Sequence, residues 1–325
     1  SIMPYFFDGS FRAEEIDFLT GTLTGYSKAA TFRTADMSGL DVINHVATNL
    51  YPAIPDDERR EVFKLPETFK KMVDEGKHGN KAGEGFYKKV QTDSGKEYKV
   101  IDPDSLEYES QINPEFESAK KAKKEHRTPE GRLKFMVNQD DEAGKFLWDI
   151  HCDLLLYSAH RIPEITGSLE SIDRAMKWGF NWQLGPFERW DAIGVRESVE
   201  RMQDEGKEVP DSVLEMLESG RESFYDKEEG TVYNLATGKS EALSPPAKGA
   251  LTVSSLQADG KEVMGNDSAG LYDMGDGIAL FEFRTKQYTL GFELVQTLQK
   301  ACEKVKEDFD ALLISHDGDN FSYGA

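Results

Sequence analysis

Thr31-Phe32-Arg33-Thr34-Ala35-Asp36-Met37-Ser38-Gly39-Leu40 and Pro186-Phe187-Glu188-Arg189-Trp190-Asp191-Ala192-Ile193-Gly194-Val195 lie about 155 residues apart and read as two versions of one segment. Each has a matching approach: Gly9-Ser10-Phe11 with Ile16-Asp17 in the first, Gly167-Ser168-Leu169 with Ile172-Asp173 in the second. The register agrees to one residue. Self-similarity at a fixed spacing is the mark of a repeated supersecondary unit, so two related helical units are expected. Asp36 and Asp191 each precede a helical pattern, carried by Val42, Val46 and Leu50 in one and by Val195, Val199 and Met202 in the other. An aspartate at a helix start accepts bonds from unpaired N–H groups and suits the helix dipole, so capping rather than catalysis is the expected role of both.

Between the copies, residues 133–162 carry one long helical pattern, with Phe146, Leu147, Ile150, Leu154 and Tyr157 on a single stripe and Pro163 closing it. His151 and His160 fall on that helix without a metal-binding partner four residues away, which favours hydrogen-bonded structural histidines. Gly79-Asn80-Lys81-Ala82-Gly83-Glu84-Gly85-Phe86-Tyr87 could pass for a dinucleotide fingerprint. It follows a helical stretch rather than a strand, and Lys88 stands where the third glycine is needed, so its glycines are read as a tight turn that packs Phe86 and Tyr87 onto the helices. The run Lys120-Lys121-Ala122-Lys123-Lys124-Glu125-His126-Arg127 could meet a phosphate, but a wet helix face is the simpler reading. After residue 225 the pattern changes to short β-prone runs punctuated by Gly230, Pro245-Pro246 and Gly270, read as a β-rich linker over 226–274.

Residues 275–325 read differently again. Ile278-Ala279-Leu280-Phe281-Glu282-Phe283 is a nearly continuous apolar run, as in a strand buried on both faces. A helix follows, capped by Thr289 and carrying Leu294, Leu298, Ala301, Cys302 and Val305 at the helical period, and Ala311-Leu312-Leu313-Ile314 is the next strand. Strand, amphipathic helix and strand make a right-handed crossover, and ligands of such units bind beyond the carboxyl end of the strands.

Composition sets the outer bounds. The 325 residues suggest two or three domains, and 38% hydrophobic content is enough for true cores. Two cysteines far apart in sequence argue against a disulfide framework or a zinc site and for a reducing, cytoplasmic setting. No apolar run reaches about 18 residues, so no membrane partner is expected. A net charge of −21 repels nucleic-acid phosphates, so no nucleic-acid partner is expected.

The glycine-rich stretch closing at Tyr87, together with Gly185-Pro186-Phe187-Glu188 and Asp191-Ala192-Ile193-Gly194, resembles the carboxyl-terminal helical domain of 3-hydroxyacyl-CoA dehydrogenases. Gly275-Asp276-Gly277-Ile278-Ala279, Phe309-Asp310-Ala311-Leu312-Leu313-Ile314-Ser315 and Asn320-Phe321-Ser322-Tyr323-Gly324-Ala325 resemble the opening of the crotonase (enoyl-CoA hydratase) family. The order of parts resembles the bifunctional dehydrogenase/hydratase of fatty-acid β-oxidation with the dehydrogenase first. The resemblance implies a mainly α protein: a first dehydrogenase-type helical unit over 1–130, a second over 131–225, the linker over 226–274, and the β/α start of a crotonase-like domain over 275–325.

It further implies an NAD-binding Rossmann domain with a catalytic His/Glu pair ahead of residue 1, and the remainder of the crotonase domain, with its acid/base carboxylates, after residue 325. Within the chain it implies that the backbone at Tyr323 and Gly324 forms half of an oxyanion hole, and that Lys286 contacts coenzyme A. Acyl-CoA substrates, a homodimer and catalytic silence of the segment alone are the corresponding expectations. The competing expectations are a non-catalytic helical module for dimerisation or docking, and a crotonase-type hydrolase or isomerase.

Overall fold

The computed structural model describes residues 2–92, 95–244, 251–317, 321, 322 and 324. The chain divides into two compact units, Ser1–Leu243 and Ser244–Ala325. In the first, α1 (Met3–Phe7), α2 (Ala13–Leu19), α3 (Phe32–Ser38), α4 (Leu40–Ala53) and α5 (Glu67–Asp74) form the first copy of the repeat. An antiparallel sheet follows, of β1 (Tyr87–Thr92), β2 (Gly95–Ile101) and β3 (Tyr108–Ser110). Then come α6 (Glu117–Glu125), α7 (Pro129–Val137) and α8 (Glu142–His160). The second copy is α9 (Leu169–Phe180), α10 (Pro186–Ile193), α11 (Val195–Asp204) and α12 (Asp211–Glu218), closed by an antiparallel sheet of β4 (Tyr225–Asp226), β5 (Thr231–Asn234) and β6 (Lys239–Ala242).

The copies share one design. A single residue turns α3 into α4 and α10 into α11: Gly39 at φ +98° and Gly194 at φ +107°, a region that a Cβ disfavours. The carboxylate of Asp17 accepts the N–H groups of Phe32 (2.6 Å) and Arg33 (3.2 Å) at the start of α3, and that of Asp173 accepts Phe187 (2.8 Å) and Glu188 (3.1 Å) at the start of α10. Each also takes a tyrosine hydroxyl at 2.8 Å, Tyr87 on Asp17 and Tyr225 on Asp173.

Asp36 and Asp191 lie inside α3 and α10, so the capping role expected of them is corrected. Asp36 accepts the amides of Phe86 and Tyr87, both at 2.8 Å, and Asp191 those of Phe224 and Tyr225 at 2.7 and 2.9 Å. Helix capping is done instead by Asp17 and Asp173, reaching across from α2 and α9. In both copies a Phe-Tyr pair is thereby clamped where the sheet begins.

The clamp aims the phenylalanine inward. Phe86 packs on Phe32 (4.4 Å between centroids) and Phe6 (5.4 Å), and Phe224 packs on Phe187 (5.0 Å) and Trp190 (5.3 Å). Burying a side chain of this size is worth about 1.5–3 kcal/mol. One buried cluster runs from Phe6 to Leu235, so the two helical units share a single core rather than standing as separate domains on either side of residue 130.

The long helix expected over 133–162 is broken at Asn138-Gln139-Asp140-Asp141. These residues are weak helix formers, and the Asp141 side chain accepts the Gly144 N–H at 2.8 Å to start α8 anew.

The second unit contains α13 (Val253–Ala258), β7 (Glu262–Gly265), β8 (Ala269–Gly275), β9 (Ile278–Phe283), α14 (Phe292–Asp308) and β10 (Ala311–Ile314). Its sheet runs β10-β9-β8-β7, and β10 is parallel to β9, with Ala311 opposite Ile278 and Ile314 opposite Phe281. Phe281, Phe283, Leu294, Ala301 and Val305 form its core.

Residues 226–274 are therefore no single linker. Val232, Tyr233 and Leu235 join the core of the first unit, while α13, β7 and β8 belong to the second. The Thr289 cap is also corrected: α14 starts after Gly291, and the Thr289 hydroxyl turns back to the Lys286 carbonyl at 3.2 Å.

Candidate functional site

A cavity of 280 Å³ opens in the first unit beside the ends of α2 and α9, the start of α3 and the middle of α8. Ile2, Ile150, Leu154, Phe180 and Trp182 give it apolar walls, and Thr20, Thr31 and Thr34 add hydroxyl-bearing ones. Those hydroxyls are occupied: Thr20 donates to the Ile16 carbonyl at 2.7 Å and shares a 2.8 Å bond with Thr31, and Thr34 donates to the Ala30 carbonyl at 2.6 Å. What they offer a ligand is mainly methyl surface. A pocket of this lining suits an apolar chain.

One aromatic wall is fixed from beneath by a buried cation. Arg189, on α10, is fully buried, and no carboxylate bonds to it among the described residues. It donates to the carbonyls of Thr24 (2.7 Å), Gly25 (2.9 Å) and Leu184 (3.1 Å), and its guanidinium lies 3.7 Å from the centroid of Tyr26 and 5.0 Å from that of Trp182. Tyr26 meets Trp182 edge-on at 4.7 Å. Two carbonyls of the first copy thus bind a cation of the second.

His151 completes the cluster. Its Nδ1 is 2.6 Å from the Leu147 carbonyl, which can only accept, so Nδ1 carries the proton and Nε2 the lone pair. Nε2 then receives the Tyr26 hydroxyl and Arg189 Nη1, both at 3.3 Å. Burial, reinforced by the Arg189 charge, pushes His151 down to about 3, and burial lifts the Tyr26 phenol above its usual range against the pull of Arg189. Neither exchanges a proton near neutral pH. The cluster is a scaffold for the pocket wall, as expected of His151 as a structural residue.

A larger cavity of 660 Å³ lies between α1, the segment before α5, and α8. Its polar groups pair with one another: Tyr5 donates to Asp149 at 2.7 Å, and Arg59 to Asp153 at 2.5 Å.

In the second unit, the loops after the parallel strands β9 and β10 meet at the strands' carboxyl ends. The Ser322 hydroxyl donates to the Tyr288 carbonyl at 2.7 Å, the Leu290 amide donates to the Gly324 carbonyl at 2.8 Å, and Tyr288 stacks on His316 at 3.7 Å. Lys286 is exposed at the start of the short turn that holds Tyr288. Gly324 has φ +90°, and its own amide donates to Ser322 Oγ at 3.0 Å. Tyr323 lies outside the described residues.

The lysine run around α6 is a solvated face: Lys120 pairs with Glu115 and Glu117, and Lys123 lies 4.2 Å from the Phe18 ring centroid. Sequence reasoning did not single out Arg189 or Tyr26. An arginine flanked by Phe187, Trp190 and Ile193 on a short helix was the available signal.

Residues 4–89 match the family described as 3-hydroxyacyl-CoA dehydrogenase, C-terminal domain. The chain is 40% identical over 320 residues to a Bacillus subtilis (strain 168) protein named as a 3-hydroxyacyl-CoA dehydrogenase, an alignment covering 98% of this chain and 39% of that one. A Deinococcus radiodurans protein with the same naming is 51% identical over 82 residues, 25% of this chain and 23% of its own. A Rickettsia prowazekii (strain Madrid E) protein named as a fatty acid oxidation complex trifunctional enzyme is 25% identical over 314 residues, 95% of this chain and 38% of its own. The chain therefore spans about two fifths of the length of the relatives that it matches from end to end. Among the described residues, no helix is long and apolar enough to cross a membrane.

Proposed function

We propose that this chain is part of a fatty-acid β-oxidation enzyme acting on acyl-CoA thioesters. In this reading the first unit supplies the helical, substrate-facing part of an NAD-dependent 3-hydroxyacyl-CoA dehydrogenase. The observation that carries it is the apolar cavity walled by Ile150, Leu154 and Trp182, a place for an acyl chain with no titratable group free to do chemistry. The family match covers the first copy, and the paired Asp17/Asp173 and Asp36/Asp191 clamps extend the reading to the second.

The described residues do not fit a dinucleotide. Gly83-Glu84-Gly85 leads from α5 into β1, so no helix N-terminus receives a pyrophosphate, and hydride transfer is assigned to a domain outside these residues. The chain's own contribution is to hold the acyl group away from water so that the thioester end is presented in one position.

The second unit, in the same proposal, opens an enoyl-CoA hydratase domain. The parallel β9/β10 crossover and the hydrogen-bonded loops at its carboxyl end support this, since ligands of such sheets bind there. Tyr323 is then the backbone donor to the thioester oxygen, and Lys286 the contact to coenzyme A. A homodimer is the proposed assembly: Met37, Val42 and Val46 expose an apolar stripe on α3 and α4 at 58%, 46% and 46%.

Calorimetry on the 325-residue chain tests the reading. Octanoyl-CoA is expected to bind, and Leu154→Trp, which fills the cavity, should weaken octanoyl-CoA at least tenfold without affecting acetyl-CoA. Undiminished octanoyl-CoA affinity in Leu154→Trp, or oxidation of 3-hydroxybutyryl-CoA by this chain with NAD, would overturn the assignment of parts.

A further inference from the structure

The repeat is broken at one place beside a third cavity. Position 188 of the second copy is a glutamate that accepts the Gly185 amide at 2.8 Å and pairs with Lys177 at 2.8 Å. The matching position of the first copy is Arg33. Its guanidinium makes no hydrogen bond or ion pair among the described residues and lies between two rings, 4.1 Å from the centroid of Tyr87 and 4.8 Å from that of Tyr98. Lys89, directly opposite Tyr98 across the β1/β2 ladder, holds its ammonium 5.7 Å from the Tyr98 centroid. Arg33, Lys89, Tyr87 and Tyr98 line one cavity of 480 Å³, with Asn80 and Gly83 at its mouth.

The surrounding charge points the same way. The whole chain is strongly acidic, yet residues 77–99 carry six lysines against three acidic residues. The nearby acids are committed elsewhere: Glu84 to Lys88 at 2.6 Å, and Asp41 to Lys81 at 2.6 Å. Asp36, which also lines the cavity, spends both carboxylate oxygens on the Phe86 and Tyr87 amides. The second copy differs beside its tyrosine: Asp226 stands where Lys88 follows Tyr87, Lys227 matches Lys89, and Glu188 stands where the first copy has Arg33. A guanidinium stacked between rings, with Asp36 near enough to feel its charge but no carboxylate bonded to it, can still accept an anion directly.

We propose that the Arg33/Lys89/Tyr98 cavity binds a phosphorylated small molecule, with the two cations sharing its phosphate group. Arginine supplies a planar fork for phosphate oxygens and lysine a mobile point charge, and the volume leaves room for a nucleoside beyond the phosphate. The ligand class is read from the cations and the cavity alone, so it stands or falls separately from the dehydrogenase reading.

The test is titration of the full chain at low salt with two probes, adenosine 3′,5′-bisphosphate and inorganic phosphate. One saturable site per chain is expected, weakening as salt is raised. Arg33→Gln and Lys89→Gln should each weaken it at least tenfold, whereas Lys227→Gln, at the matching position of the second copy, should leave it unchanged. Tighter binding of the bisphosphate would place a nucleotide in the site, and equal binding would limit recognition to the phosphate; both outcomes support the proposal. Absence of saturable binding, two equal sites per chain, or wild-type affinity in the Lys89→Gln protein would overturn it. Lys89 is exposed, so that variant decides the matter even if Arg33→Gln fails to fold.

Discussion

Replacing Arg189 by methionine should loosen the first unit and its apolar cavity together. Methionine keeps most of the side-chain length while removing every donor, so the carbonyls of Thr24, Gly25 and Leu184 lose their bonds at 2.7, 2.9 and 3.1 Å. The Gly25 carbonyl keeps the Gln183 amide at 2.9 Å, so two acceptors are left without a donor, at about 1–3 kcal/mol each or roughly 2–6 kcal/mol together. Part of that is returned, because a desolvated charge is removed as well, and exchanging buried ionic groups for apolar ones often recovers about 1–4 kcal/mol. A net loss of about 1–2 kcal/mol remains. For a unit of this size each kcal/mol moves Tm by about 2–4 °C, so a fall of about 2–8 °C is expected. Scanning calorimetry resolves it, with the second unit as internal reference. Tyr26 and Trp182 lose the cation they stack on, so octanoyl-CoA affinity should fall in the same protein. A Tm at or above that of wild type would refute the claim that the Thr24 and Leu184 carbonyls depend on Arg189.

Three further outcomes are expected. Gly85→Ala places a Cβ 2.2 Å from Asp36 Oδ1 and 2.6 Å from the Gly79 Cα, so the Phe86-Tyr87 clamp must shift at a cost of about 1–3 kcal/mol; Gly179→Ala, with open space around it, should melt no lower than wild type. Burial pushes Asp173 and Asp191 up to about 7 and Asp17 and Asp36 up to about 6, outweighing the amide and hydroxyl bonds they accept. Because the folded values exceed the unfolded ones, that stability is fully present below about pH 4 and lost as pH rises through 6–7, so the first unit should melt higher at pH 5.5 than at pH 8.5 and Asp173→Asn should flatten the slope. A melting curve that climbs over this window would contradict the assignment. In a polypeptide carrying a complete hydratase domain, Tyr323→Ala should keep most activity while Tyr323→Pro, which deletes the N–H, should lower kcat by roughly 100-fold or more; near-parental hydration by a folded Tyr323→Pro protein would end the oxyanion reading.

Elements whose structure follows from local pattern were legible in the sequence. The apolar run 278–283 and the run 311–314 are strands with the bounds read from them, because a short, nearly continuous apolar run can be recognised without partner information. The two-copy design was visible in the aligned aspartates. Their roles were not, because a carboxylate that caps a helix start and one that clamps a strand start satisfy the same N–H donors. Only the fold shows that Asp17 reaches α3 and that Asp36 reaches Phe86, fifty residues on. The sheet of β1, β2 and β3 escaped notice since Lys88, Lys89, Lys96, Glu97 and Lys99 interrupt its apolar alternation.

The same limit explains why the cavities were invisible. Each is lined by residues drawn from distant segments, Thr20 with Leu154 and Trp182 in one and Arg33 with Lys89 and Tyr98 in the other, and none carries a motif. What a repeat does offer is an internal control. Where the copies agree, as in the four aspartates, the Gly39/Gly194 turns and the Phe-Tyr pairs, the residues serve the fold that both must reach. Where they differ, the residue serves something that only one copy needs. Arg189 faces Thr34 in the alignment and Arg33 faces Glu188; Arg189 underlies a wall of the cavity that both copies line, and Arg33 lines the cavity of the first copy. Residues that break the repeat while keeping the clamp intact are therefore where function should be sought first, and exchanging Arg33 or Arg189 for its counterpart should cost ligand affinity more than it disturbs helix content.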